Sequence, residues 1–247
     1  MFKIVKQDGE EYAVEDPEYK KKRIQDKYQI YLKRSGIPSF YWDIEFEDYK
    51  GNKDSDEFKK LKYYADNCDN EKFNHVHLYV HGKHSTQKTA LCCNVLKSAI
   101  RKGLDARFIL AGTLIDSLMK LQGFNKDDEL YEYIKSLKKC DILLIDDIAD
   151  SAKSLTWKNP ESNQILIAEW DQFLRTLLSN KTKVILTSNF DKHIIEQQYG
   201  KSLYELIDRN FVCLEFKESI KEIRKLNVES AFNGLSESNL RRRKKEE

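Results

Sequence analysis

An α/β fold built on a mostly parallel sheet is predicted by three features of the sequence. Short apolar runs alternate with helical patterns through most of the chain, as in sheets covered by helices on both faces. One such run, Val76-His77-Leu78-Tyr79-Val80, leads into Gly82-Lys83-His84-Ser85-Thr86-Gln87-Lys88-Thr89. That segment is a phosphate-binding loop of the pattern G-x-x-x-x-G-K-[ST], with Gln87 standing where the second glycine belongs. A second run, Asp141-Ile142-Leu143-Leu144-Ile145-Asp146-Asp147, ends in two carboxylates.

In chain order, residues 1–16 form a short polar stretch punctuated by Gly9 and Pro17. A helix is predicted over Glu18–Arg34, with Tyr19, Ile24, Tyr28, Tyr31 and Leu32 as its apolar residues. It also carries Lys20, Lys21, Lys22, Arg23, Lys27, Lys33 and Arg34, and such a helix either shows a solvated face or binds nucleic acid or an acidic partner. Ser35-Gly36-Ile37-Pro38 ends it, because proline lacks an N–H and disfavours helical backbone before it. The aromatic run Phe40 to Phe46 is expected to pack onto the following domain rather than to stack on bases, and residues 55–67 to form a lysine-rich helix. Strands are then predicted at 76–81, 106–111, 141–146, 183–188 and 212–216, and helices near 88–102, 113–121, 127–138, 164–179, 190–198 and 202–208. Residues 148–163 read as a polar loop placed to lie over a nucleotide or to reach a neighbour. The expected organisation is a basic helical extension at 1–38, an α/β domain at 39–228 and a polar basic tail at 229–247, whose end, Arg241-Arg242-Arg243-Lys244-Lys245, reads as a solubilising run.

Composition narrows the function classes. A chain of 247 residues with 40% hydrophobic residues has enough apolar material for one substantial domain. Its 43 basic and 41 acidic residues nearly cancel, so net charge points to no class of partner. The cysteines Cys68, Cys92, Cys93, Cys140 and Cys213 form no C-x-x-C pair, which argues against a zinc ribbon or disulfide framework and fits a reducing compartment. His75, His77, His81 and His84 cluster, but a zinc site there would collide with a nucleotide on the loop. No apolar run approaches membrane-spanning length and no signal-peptide pattern opens the chain, so no membrane association is expected and the location expected is cytoplasmic.

The chemistry sits in four segments, and Arg224 is a further candidate. In the loop, backbone N–H groups and a helix N-terminus face a polyphosphate, Lys88 reaches its β- and γ-phosphates, and the Thr89 hydroxyl faces Mg²⁺. Asp146, at the end of an apolar strand, is placed to hold Mg²⁺ directly or through water, and Asp147 to polarise an attacking water, a role more often taken by glutamate. The strand Lys183-Val184-Ile185-Leu186-Thr187-Ser188 ends at Asn189, which either orients that water, caps the next helix, or both. Arg209 either stabilises the γ-phosphate of a neighbouring subunit or pairs on the surface with Asp208 or Glu205. Arg224 either senses nucleotide within its own subunit or belongs to a plain charged helix.

These segments together make the chain resemble the AAA+ ATPases, and more narrowly the bacterial helicase loaders of the DnaC/DnaI type, a group that includes the IstB-type transposition helpers. The resemblance spans roughly residues 30–225 and also takes in Ser35-Gly36-Ile37-Pro38, Phe46-Glu47-Asp48-Tyr49 and Leu206-Ile207-Asp208-Arg209. It implies a P-loop NTPase with a five-stranded parallel sheet, a small helical lid, ATP and Mg²⁺ as cofactors, and a homo-oligomer in which Arg209 completes the next subunit's site. Such loaders bind a hexameric replicative helicase and help place it on single-stranded DNA. The basic segments at 20–34 and 241–245 are compatible with DNA phosphate contacts. Three departures, Gln87, the absence of zinc-binding cysteines in a short N-terminal extension, and the lack of a G-x-x-x-R pattern at Arg224, suggest a divergent member such as one from a phage or mobile element. The function expected is ATP-dependent helicase loading, with a transposition-helper ATPase or a non-hydrolysing nucleotide-dependent adaptor as the alternatives.

Overall fold

The structure, a computed structural model, describes residues 2–7, 10–121, 127–148 and 160–217. Arg224 and the tail at 229–247 lie outside the described residues. At the N-terminus β1 (Phe2–Gln7) and β2 (Glu10–Glu15) pair antiparallel, Phe2 opposite Glu15 and Gln7 opposite Glu10. This corrects the reading of 1–16 as a merely polar stretch. Its sequence signal is the Asp8-Gly9 pair between two runs in which apolar and polar residues alternate.

Helix α1 (Pro17–Arg34) opens with Asp16, whose carboxylate accepts from Glu18 N at 3.0 Å, and with proline in its first turn, where the missing N–H costs nothing. Two short 3₁₀ turns, Ser39–Tyr41 and Phe46–Asp48, lead to α2 (Asp56–Asn67), capped by the Ser55 hydroxyl. The alternating region then runs β3 (His77–Gly82), α3 (Lys88–Arg101), β4 (Ala106–Leu110), α4 (Ala111–Leu121), α5 (Asp128–Leu137), β5 (Ile142–Asp146), α6 (Pro160–Ser179), β6 (Lys183–Ser188), α7 (Lys192–Tyr199), α8 (Lys201–Asn210) and β7 (Phe211–Phe216). Part of the stretch 148–163, expected as a loop, is helical: α6 begins at Pro160, a residue preorganised for a first helical turn. Its middle, 149–159, lies outside the described residues.

Strands β3 to β7 form one sheet in the order β4-β5-β6-β3-β7, and every neighbouring pair is parallel. Successive side chains divide between its two faces. Leu78, Val80, Ile142, Leu144 and Ile185 enter a core shared with α2 and α3, while Tyr79, Leu143, Ile145, Val184 and Leu186 enter a core shared with α4 to α8. Burial on both faces explains why these strands read as continuous apolar runs. The ends of β5, β6 and β3, adjacent in that order, place the acidic pair, Asn189 and the phosphate loop side by side at one edge, as expected for ligand crevices in open α/β sheets. No helix among the described residues is long and apolar enough to cross a membrane.

Candidate functional site

The loop at 82–89 is shaped by backbone demands at its two ends. Gly82 has φ +145°, and a Cβ there would lie 1.9 Å from Phe216 O, so only glycine allows β7 to press so closely on the loop's start. At the other end Gln87 adopts φ +63°, the left-handed conformation for which glycine is the usual residue. Gln87 keeps that geometry while its Oε1 accepts from Lys50 N at 2.9 Å, tying the loop to the segment between α1 and α2, the lead-in to the alternating region. Ser85 is left-handed too, at φ +61°.

Lys88 is 6% exposed, and its ammonium points back into the loop. It donates to Gly82 O and Lys83 O at 2.8 Å each, to Thr86 Oγ1 at 3.1 Å and to Asn189 Oδ1 at 3.2 Å. Next to it the Thr89 hydroxyl donates to Asp146 Oδ1 at 2.9 Å, and Thr187 donates to the same oxygen at 2.5 Å. Thr187 Oγ1 in turn accepts from Asp147 N at 2.9 Å, so one hydroxyl fixes both members of the acidic pair. Asp147 sits at φ +63°, and its Oδ1 accepts from Asn189 Nδ2 at 3.0 Å. The sequence-predicted residues Lys88, Thr89, Asp146, Asp147 and Asn189 are thereby joined in one hydrogen-bonded group.

Asn189 does not cap the next helix. Asp191 does, its Oδ1 accepting from His193 N at 2.8 Å, which leaves the Asn189 amide for Lys88 and Asp147. Arg209 lies apart from this group on α8, 74% exposed, donating to Glu205 at 3.2 Å one helical turn away. Of its two candidate surface partners Glu205 is the one observed, and Asp208 pairs with Lys192.

A cleft of about 320 Å³ covers the group, lined by the loop from His84 to Ala90, by Asp146, Asp147 and Thr187 to Asn189, and on its far side by Phe40, Tyr41 and Ile44. The aromatic run therefore does two things. Phe46, Tyr41 and Trp42 pack on the α2–α3 core as expected, and Phe40 and Tyr41 also wall the cleft. The lead-in is held down by Lys97 of α3, a lysine with no exposed side-chain surface, which donates to Trp42 O at 3.1 Å and to Ile44 O and faces Glu45 at 3.4 Å. Burial pulls the Lys97 pKa below the usual lysine range, and Glu45 opposes that pull. Sequence reasoning missed Lys97, Thr187's bridging role and the Lys50 contact. One signal was present: Gln87, Ala90, Asn94, Lys97 and Arg101 recur at helical spacing, a partly polar stripe on a helix buried nearly all round.

The arrangement can bind a polyphosphate and divalent metal. Thr89 and Asp146 offer a hydroxyl and a carboxylate oxygen that already meet at one point, the hard oxygen ligands Mg²⁺ takes beside phosphates. Phe40 and Tyr41 offer aromatic surface in the same cleft.

The sequence matches no protein-family model and no curated protein. The fold does have counterparts among solved structures. A crystal structure of the DnaC helicase loader is similar over 73% of this chain and 100% of that chain, with TM-score 0.57 and 18% identity. A crystal structure of DnaI is similar over 74% of this chain and 92% of that one, with TM-score 0.55 and 17% identity. The replication initiator DnaA, bound to AMPPCP and single-stranded DNA, is similar over 72% of this chain and 50% of its own, with TM-score 0.55 and 17% identity. With its parallel five-stranded sheet, flanking helices and these neighbours, the chain has the AAA+ P-loop fold in a form similar to that of the DnaC- and DnaI-type loaders.

Proposed function

We propose that this chain is an ATP-binding AAA+ ATPase that loads a replicative DNA helicase. ATP binding drives assembly on the hexameric helicase and single-stranded DNA, and hydrolysis reverses it. The carrying observation is the convergence of Lys88, the Thr89–Asp146 pair, Asp147 and Asn189 beneath one cleft, in a fold similar to DnaC along that whole chain. Lys88 would leave the loop carbonyls to meet the β- and γ-phosphates, and Thr89 and Asp146 would hold Mg²⁺, which would supply charge neutralisation. Asp147 accepts a proton from the attacking water, and Asn189, bonded to both Lys88 and Asp147, sets that water's position between them. Arg209, exposed at the surface, serves the neighbouring subunit's site in a homo-oligomer, and Arg224 senses nucleotide in its own. Residues 1–38 form an extension, 39–228 the ATPase domain and 229–247 a tail.

A second reading, a nucleotide-dependent adaptor without turnover, draws support from Asp147. Its carboxylate is one methylene shorter than the usual glutamate and is tied to Asn189. Steady-state ATPase assays on purified protein separate the two. Turnover raised by single-stranded DNA and abolished in Lys88→Ala and Asp147→Ala, with co-purification of a hexameric helicase, is the outcome expected. ATP binding and oligomerisation without turnover selects the adaptor, and capture of a transposase instead of a helicase overturns the loader assignment.

A further inference from the structure

Helix α1 carries seven basic and two acidic residues between Glu18 and Arg34, and they are not spread evenly around it. Leu32 marks the inner side: it is buried in the core shared with α3, and Tyr28 and Tyr31 pack beside it. At 3.6 residues per turn, Lys20, Arg23, Lys27 and Arg34 fall within an arc of about 60° on the outer side, and both acids fall outside that arc. All four basic residues are exposed. The stripe runs about 21 Å along the axis, the reach of roughly six phosphates on a stacked strand. It works against the helix that bears it. Lys20–Arg23 and Arg23–Lys27 are like-charge neighbours at i,i+3 and i,i+4, and Lys20, Lys21 and Lys22 crowd a helix N-terminus that favours acids. A helix face that serves only to be solvated alternates the two signs of charge, so this one has another use.

We propose that this stripe on α1 is the contact surface for the phosphate backbone of single-stranded DNA, an assignment that rests on the loader reading above. Exposed, linear and of one sign, it complements a linear polyanion, whose phosphates release counterions when lysines and arginines meet them. A lipid surface fits less well. The exposed apolar residues Tyr19, Ile24 and Ile30 stand on both sides of the stripe instead of forming one face, and the helix's own apolar side is spent on the core. A protein partner fits less well too, since protein interfaces are poor in lysine and centre on apolar anchors.

The test sets two charge-matched triple variants of the full chain side by side. One carries Lys20→Gln, Arg23→Gln and Lys27→Gln on the stripe, the other Lys21→Gln, Lys22→Gln and Lys33→Gln off it. Fluorescence anisotropy with a labelled thymidine oligonucleotide is followed across a range of salt concentrations. Each contact to a single strand contributes about 0.7 to the slope of log affinity against log salt, so the stripe variant should lose about 2 from that slope. Its affinity at low salt should fall by about tenfold or more, with the off-stripe variant within about threefold of wild type. The stripe variant should melt at or above the wild-type temperature, since like-charge neighbours are removed. Equal losses in the two variants, or no loss in either, overturn the stripe. Tighter binding of wild type to a duplex of the same length overturns the assignment to single strands. Unchanged DNA binding with lost capture of an acidic protein gives the face to a protein partner and overturns the proposal. Those outcomes leave the loader reading standing. A wild-type chain that binds no single-stranded DNA overturns the DNA half of that reading, and this assignment with it.

Discussion

Gln87 sets two small effects against each other. Holding a non-glycine side chain in the left-handed region costs on the order of 1 kcal/mol, and an exposed hydrogen bond to Lys50 N returns about as much. Gln87→Gly should therefore leave the thermal midpoint nearly unchanged. Nucleotide affinity should rise several-fold, because a bare backbone approaches phosphate more closely. Calorimetric titration beside a melting curve checks both halves, and an affinity loss would show the side chain to be a contact. His77 illustrates a different residue-scale effect. It is 4% exposed, its Nδ1 accepts from Val184 N at 3.1 Å, and burial lowers its pKa to about 4. The folded value lies below the unfolded one, so the unfolded chain takes up the proton first as the pH falls. Stability from this group is intact above about pH 6.5 and declines by about 3 kcal/mol in all towards pH 4. His77→Gln, which keeps an acceptor for Val184, should flatten that part of the acid limb in urea titrations.

Among the elements, the lead-in and α3 act as one unit. Lys97→Ala would leave Trp42 O and Ile44 O without their donor, while Glu45 keeps Arg101. Because Glu45 is partly exposed, the charge contribution is small and the stranded carbonyls dominate, at about 2 kcal/mol. Denaturant midpoints should fall by that amount, and ATP affinity should fall with them, since Phe40 and Tyr41 hang from the same segment. Much of this architecture was legible in advance. The central strands β3, β5 and β6 read as strands because they are buried on both faces, and most of the residues singled out at 82–89 and 146–147 line one cleft. What escaped was held by distance. Lys50 meets Gln87 across a long stretch of chain, and Lys97 reaches its partners from another element. A lone buried lysine in a helix looks like any surface lysine until its partner segment is placed beside it. The β1–β2 pair was missed for a simpler reason: a short, strongly polar stretch drew attention to its charge and away from its alternation.

At the scale of the whole molecule, the two cores bury many weak acids. Cys92 and Cys93 are pushed well above the usual thiol range by burial, Cys140 to about 12, and burial likewise raises the phenols of Tyr64, Tyr79 and Tyr199. In each case the folded pKa exceeds the unfolded one, so the contribution is complete below the unfolded values and is lost as pH climbs towards the folded ones. Stability should hold level to about pH 8.5 and then decline steeply, with thiols ionising before phenols in the unfolded chain. Urea midpoints between pH 7 and 11 test this, and a flat profile to pH 11 would contradict it. One contact at the edge of the sheet has a mechanical side. Helix α8 ends at Asn210 and β7 begins at Phe211, with no linker to absorb motion, and the far end of β7 rests against Gly82. Arg209 and the mouth of the phosphate loop thus stand at the two ends of one strand, with no spare chain between them, like a handle and a latch on one rod.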